Sequence, residues 1–275
     1  MSDNTIILYD IPLQRPNEAF SPNTWKTRCV LQLFRRRDSI SIARCRYTLN
    51  IKGLKYKTVW VEYPDIQRDV YEKYKLPPNG AKPLPDGGKL DYYSLPVIHD
   101  PSTGKTIADS FHIALYLDET YSSTPRVLHD ETYGLYNAFT DHIPVVLGPY
   151  RTTLMLPAIA RMLNEHSKGW FIRARSADIG APLMDVEPKT PEAFEAAWKR
   201  CEEAWGKIAR WYKPGAMFLS GSDRPGLADF MLVTMFNSMR LIWGEDSTEW
   251  KNALQWQDGK WKALSEYFSK YEQML

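Results

Sequence analysis

Cysteine is scarce in this chain: Cys29, Cys45 and Cys201 are the only three among 275 residues, with no C-x-x-C arrangement. That excludes a disulfide framework and suits a reducing compartment, so a cytoplasmic location is expected. The opening MSDNTIILYD lacks a basic stretch leading into a long apolar one, and no secretory signal is expected. No uninterrupted apolar run approaches the roughly 20 residues of a membrane helix, so no membrane partner is expected either. The five histidines, His99, His112, His129, His142 and His166, show no metal-ligand spacing, which argues against a metal site. Charge of one sign is also missing: 35 Lys+Arg face 33 Asp+Glu, a net +2 that argues against obligate nucleic-acid binding. What is abundant is aromatic surface, 13% of residues with ten Trp, which calls for large flat pockets or aromatic-rich helix packing.

The length suits one large domain or two modest ones. The first third reads as mixed α/β. Thr5–Ile11 is of strand length, and Ser21-Pro22 opens a helix-like NTWKTRCVL. Tyr56–Tyr63 is β-rich, and Pro64-Asp65 starts a helix to about Lys75. Leu76–Gly88 is a Pro/Gly-rich loop, Pro96–His99 and Lys105–Ala108 are short strands, and Asp109 caps a helix over Ser110–Tyr121. From Glu131 onward helical periodicity dominates. Glu131–Leu163 is expected as two or three pieces broken at Pro144, Gly148-Pro149 and Pro157. Pro191–Tyr212, the nearly all-apolar Leu227–Trp243 and Lys260–Met274 are further helices. The expected architecture is an α/β domain over 1–121, a linker at 122–130 and an all-α domain over 131–275.

Three motifs carry chemistry. Ser21, with Asn23 and Trp25 one turn on, stands at a helix start, where free N–H groups and the helix dipole favour an anion and a hydroxyl can donate to a thiolate. Pro96, between Leu95 and Val97, is a place where a cis bond costs little and leaves strand backbone free for an extended peptide. Asp109-Ser110 at a second helix start suits an amino group and a carboxylate. Taken singly, each is equally well an ordinary cap or an edge-strand proline.

Their order gives them specificity. Together they resemble the glutathione transferases, a thioredoxin-like domain followed by a helical one. The segments IILYDI, SPNTWKTR, YKTVWVEYPDI, LPVIHDPSTGKTIADS and ALYLDETY look like the fungus-specific, etherase-related class of wood-decaying basidiomycetes, similar to bacterial lignin β-etherases. The resemblance implies glutathione as co-substrate and a homodimer. It implies Ser21 as the sulfur-activating residue, with Asn23 and Trp25 shaping the same pocket. Val97, after a cis-Pro96, would clamp the cysteinyl backbone, and Asp109 and Ser110 would hold the γ-glutamyl end. The implied acceptors are hydrophobic aromatic electrophiles, aryl ethers or peroxides, with Ile143–Met162 (Tyr150, Leu154, Met155, Leu156) as an apolar wall. A low-turnover ligandin binding glutathione and aromatic compounds is the alternative. The central helix starts at Gly226-Leu227-Ala228-Asp229, without the Ser/Thr that opens the family's capping box.

One segment departs from the family pattern. Leu31–Thr48 (LQLFRRRDSISIARCRYT) reads as an insertion, and without its five Arg and one Asp the chain would carry −2. A translated retained intron, a basic arm for anionic partners and a tolerated surface loop are the competing explanations, and comparison of transcript with genomic DNA separates them. Loop closure costs only about 0.6 kcal/mol per doubling of length. The decisive matter is therefore whether the first helix still docks.

Overall fold

The computed structural model describes residues 4–13, 43–83, 88–129 and 133–272. Strand β1 (Ile6–Asp10) is almost wholly buried and forms the middle of a four-stranded sheet. It pairs in parallel with β2 (Tyr56–Trp60) and antiparallel with β5 (Val97–Asp100), which pairs antiparallel with β6 (Lys105–Ala108). The order is β2-β1-β5-β6. A parallel β1–β2 pair requires a crossover, and helix α1 (Ala43–Ile51) supplies it.

Helix α1 buries five consecutive residues, Cys45 to Leu49, because it is sandwiched between the sheet and the helical domain. On the sheet side, Arg46 Nη2 donates to Asp10 Oδ2 at 2.8 Å and to Thr58 Oγ1 at 3.1 Å, beneath the Tyr56 and Trp60 rings. On the other side the Tyr47 ring meets Phe268 edge-on at 5.1 Å. A dispensable excursion would not bury side chains on both faces. Residues 43–48 therefore belong to the domain proper, and the end of the insertion expected at Thr48 moves back to before Ala43. Ser21, Asn23, Trp25 and the rest of that stretch lie outside the described residues.

The expected helix after β2 is a 3-10 turn, Tyr63–Asp65, followed by a π-helical turn, Gln67–Glu72. Part of the expected loop is instead a two-stranded ribbon of β3 (Gly80–Pro83) and β4 (Lys89–Tyr92). Pro83 is tolerated there because it ends the strand of an isolated ribbon. Helix α2 (Ser110–Thr120) packs on β5 and β6.

The helical domain begins with α3 (Tyr133–Tyr150), which contains Pro144 and Pro149 without ending. A mid-helix proline forfeits one hydrogen bond, and the buried Ile143 and Leu147 beside Pro144 hold the helix in place. Irregularity comes instead after Pro149. The ladder widens to a π turn over Arg151–Met155, and Thr153 Oγ1 donates to the Pro149 carbonyl at 3.0 Å before α4 (Leu156–Met162) resumes. The resulting 29-residue helical rod, Gly134–Met162, is long and apolar enough by composition to cross a membrane, so the expectation from uninterrupted runs does not hold; here one face is buried in the protein core.

Helix α5 (Glu165–Ile179) follows, then α6 (Pro191–Ala209), α7 (Leu227–Trp243), α8 (Thr248–Ala253) and α9 (Trp256–Ser269, kinked at Gln257–Gly259). Helix α7 is the buried centre. The core around it contains Trp205, Trp256 and Trp261, the first and last meeting at 4.7 Å. Much of the tryptophan is thus packing rather than pocket. At the start of α7, Asp229 accepts from Gly226 N at 2.9 Å and from Leu219 N at 2.8 Å. The missing Ser/Thr is explained by space: a side chain at Gly226 would meet the Val127 carbonyl and the His129 ring at 3.4 Å.

Two seams join the domains. Lys52 Nζ donates to Asp118 Oδ1 at 2.7 Å and to the Pro125 carbonyl, while Asp118 accepts from Val127 N and Leu128 N. Farther along, Leu13 pairs with Leu163, and Glu62 accepts from Asn164 and Ser167.

Candidate active site

The site grows from the corner where β5, β6 and α2 meet. The Leu95–Pro96 bond is cis, and the Pro96 carbonyl accepts from Asp109 N at 3.1 Å, so the proline and the start of α2 form one unit. Asp109 has φ 75°, a left-handed backbone that an L-residue adopts at a cost of about 1–3 kcal/mol and that concentrates at functional sites. Its Oδ1 caps α2, accepting from Phe111 N at 2.8 Å and His112 N at 3.3 Å. Ser110, buried at the first helical position, makes no hydrogen bond through its N–H or hydroxyl among the described residues. That pair of donors, at the positive end of the helix, is suited to a carboxylate. The Asp109 carboxylate, half exposed beside it, is suited to an amino group.

Pro96, Asp109 and Ser110 are therefore brought together. Val97 is placed differently from the expectation. It lies between Tyr9 of β1 and Ala108 of β6, so its peptide groups face a neighbouring strand on whichever side they point. Leu95, immediately before the cis bond, has a backbone N–H and C=O with no hydrogen bond among the described residues. The backbone clamp falls to Leu95, and the signal that could have found it is its place on the N-terminal side of the proline.

Tyr136 stacks on Phe111 with ring centroids 5.3 Å apart and hydrogen-bonds Arg44 of α1; burial pushes its hydroxyl up to about 12. Phe139, Trp211 and His142 continue this aromatic row over the surface of α3. The named wall residues Tyr150, Leu154, Met155 and Leu156 are buried and serve as core. What α3 exposes is Leu135 (69%) and Val145 (67%).

Among the described residues no thiolate is available. Cys45 and Cys201 are buried free thiols, and burial pushes both well above the ordinary range. No group of three metal-binding side chains occurs there either.

The Arg46–Asp10 pair also supplies a register. Counting back seven and five residues from Arg28 gives Ser21 and Asn23; counting back the same from Arg46 gives Ser39 and Ser41. The chain thus contains two serine-led approaches to an arginine, and the second runs directly into α1.

The known proteins agree with this geometry. The family "Glutathione S-transferase, N-terminal domain" matches residues 39–120, and "Glutathione S-transferase, C-terminal domain" matches 134–271. The glutathione S-transferase-like protein ustS of Aspergillus flavus is 31% identical over 241 residues, 82% of each chain. Among solved structures, the glutathione S-transferase CsGST63524 of Ceriporiopsis subvermispora, crystallised with glutathione, is 40% identical with a TM-score of 0.80, covering 99% of both chains. Glutathione transferase GSTFuA3 of Phanerochaete chrysosporium is 33% identical with a TM-score of 0.80, covering 98% of both. The β-etherase LigF of Sphingobium is 12% identical with a TM-score of 0.55 over 98% of both chains, a likeness of fold alone. With both domain families matched in order over a thioredoxin-like sheet and a helical second domain, the chain belongs to the glutathione S-transferase family.

Proposed function

We propose that the chain uses glutathione as co-substrate and joins its sulfur to hydrophobic aromatic electrophiles, aryl ethers among them, or reduces peroxides with it. The carrying observation is the corner of Leu95, cis-Pro96, Asp109 and Ser110, whose unpaired backbone and helix-end donors suit an extended γ-glutamyl peptide. On this reading Leu95 pairs with the cysteinyl residue, Ser110 holds the γ-glutamyl carboxylate and Asp109 its amino group. The thiolate attacks the electrophilic carbon as the leaving group departs with its electron pair. A serine hydroxyl donating to that thiolate needs to supply only about 2.7 kcal/mol to lower the thiol by two units.

Ser21, with Asn23 and Trp25, is the activating serine by motif, and Ser39 by register from Arg46. Ser21→Ala and Ser39→Ala, assayed with glutathione and 1-chloro-2,4-dinitrobenzene, decide between them: the variant that loses turnover while still binding glutathione identifies the residue. If both retain full turnover, neither acts. Ser110→Ala is expected to weaken glutathione binding about tenfold, or ~1.4 kcal/mol, at unchanged stability. Calorimetric titration that shows no change would remove Ser110 from the site.

The second reading is a ligandin. It draws support from the 18-residue offset between the two serines, which separates the family's serine motif from α1, and from the exposed Leu135, Val145 and Met217. Glutathione binding without turnover, beside tight binding of an apolar dye, would favour it. The free buried thiols suit the cytoplasm, and a homodimer is proposed on the family's behaviour.

A further inference from the structure

The wall of the interdomain cleft contains a cation that the transferase reading does not use. Arg151 opens the π turn between α3 and α4. Its neighbours are peculiar for an arginine. Arg161 pairs with Glu187 and Arg240 with Glu272, but Arg151 makes no ion pair or hydrogen bond among the described residues. The charges it feels most strongly are those of Arg175 and Arg44, like its own, together with the Tyr150 and Tyr63 hydroxyls. Its side chain is open to solvent, yet surrounding protein lowers its pKa by desolvation. A cation that solvent reaches but that is walled in by protein stands in a cleft rather than on a convex surface.

Flat aromatic surface adjoins it. Tyr63 and Trp170, both half-buried, stack at 5.2 Å and 8°, and Tyr63 also meets Phe171 at 5.5 Å. Arg175 lies over the Phe171 ring at 5.5 Å and pairs with Asp178. Arg44 ties the other end of this cleft to Tyr136 and so to the Asp109–Ser110 corner. Three guanidinium groups brought within electrostatic reach of one another with one carboxylate among them repel, and an anion between them would relieve that repulsion.

We infer that Arg151 selects acceptors that carry an acidic group, a carboxylate or sulfonate on an aromatic frame, with the rings lying against Tyr63 and Trp170 and the acid on the guanidinium. The inference deepens the proposed function: it rests on that reading for the acceptor's place in the cleft and names the acceptor's chemical class. Arg151 on this account positions the acceptor and takes no part in bond making.

Two dyes of one ring frame test it without turnover: 8-anilino-1-naphthalenesulfonate and the uncharged N-phenyl-1-naphthylamine, titrated by fluorescence into the full chain with glutathione present. The sulfonate dye is expected to bind about tenfold more tightly, ~1.4 kcal/mol. Arg151→Gln should erase that margin and leave the neutral dye unchanged, and Arg151→Lys should restore part of it. Equal affinity of the two dyes for the unaltered chain would overturn the inference. So would a parallel loss of both dyes in Arg151→Gln, or a loss of glutathione binding in place of the sulfonate dye. Where the chain turns over, the KM for 4-chloro-3,5-dinitrobenzoate should rise about tenfold in Arg151→Gln at unchanged kcat, with 1-chloro-2,4-dinitrobenzene unaffected. Absence of turnover would count against the transferase reading alone, since the dye titrations still decide this one.

Discussion

The two halves of the molecule are held together by different physics. In the first domain, single buried ion pairs set the geometry: Arg46 on Asp10, and Lys52 on Asp118. In the second, tryptophan and phenylalanine rings packed around α7 share the burden, with Trp205, Trp256 and Trp261 all enclosed. A buried pair concentrates its energy in one contact, because removing one partner leaves an uncompensated charge in a dry environment. An aromatic core spreads its energy, and neighbouring rings relax around a smaller one. The transferase site lies on the first kind of ground, so single substitutions far from glutathione should damage it.

Arg46→Ala should break that contrast most severely. Loss of the partner of Asp10 is expected to cost about 3–5 kcal/mol and to release α1 from the sheet. Urea unfolding that shifts by less than 1 kcal/mol would mean that α1 is not fixed by this pair. In the helical domain, Trp205→Phe is expected to cost only about 1.5 kcal/mol. Its buried indole N–H has no hydrogen-bond partner among the described residues, so the smaller ring also removes an unpaired donor. A loss as large as that of Arg46→Ala would erase the distinction between the halves.

Asp229 sharpens the comparison, being a buried charge within the aromatic half. Burial pushes its carboxyl up to about 6, although backbone N–H groups of Gly226 and Leu219 oppose the shift. The folded chain therefore takes up a proton between about pH 6 and 4 that the unfolded chain does not. The stability this group contributes is present at low pH and is lost as pH rises through 6. The margin of the unaltered chain over Asp229→Asn should widen by about 1 kcal/mol from pH 7 to pH 5, read from urea midpoints. A margin constant with pH would show that the carboxyl titrates normally.

Elements with a strong one-dimensional signal were legible in the sequence. The apolar run Leu227–Trp243 coincides with α7, and Asp109 caps α2 as its side chain promised. Helix α5 has no comparable signal: it buries only Ser167 and Phe171, so no apolar stripe marks it. The prolines misled in one direction, since Pro144 and Pro149 sit inside a continuous helix while the ladder adapts one turn later. Val97 was chosen over Leu95 because strand pairing on both sides of β5 is invisible in a linear motif. The edge of the inserted segment was misplaced for a related reason. Only the partner of Arg46, forty residues away in the chain's first strand, reveals which arginine belongs to α1.

The clasp of Lys52 and Asp118 on Pro125, Val127 and Leu128 has a consequence for how the chain melts. One carboxylate on α2 receives both the lysine at the end of α1 and two amides of the connecting segment. A connector held in this way is not a hinge, and neither half can unfold without stripping the other of its counter-charge. In a scanning calorimeter the two domains should absorb heat as one endotherm, with equal calorimetric and van't Hoff enthalpies, although the fold divides them so plainly.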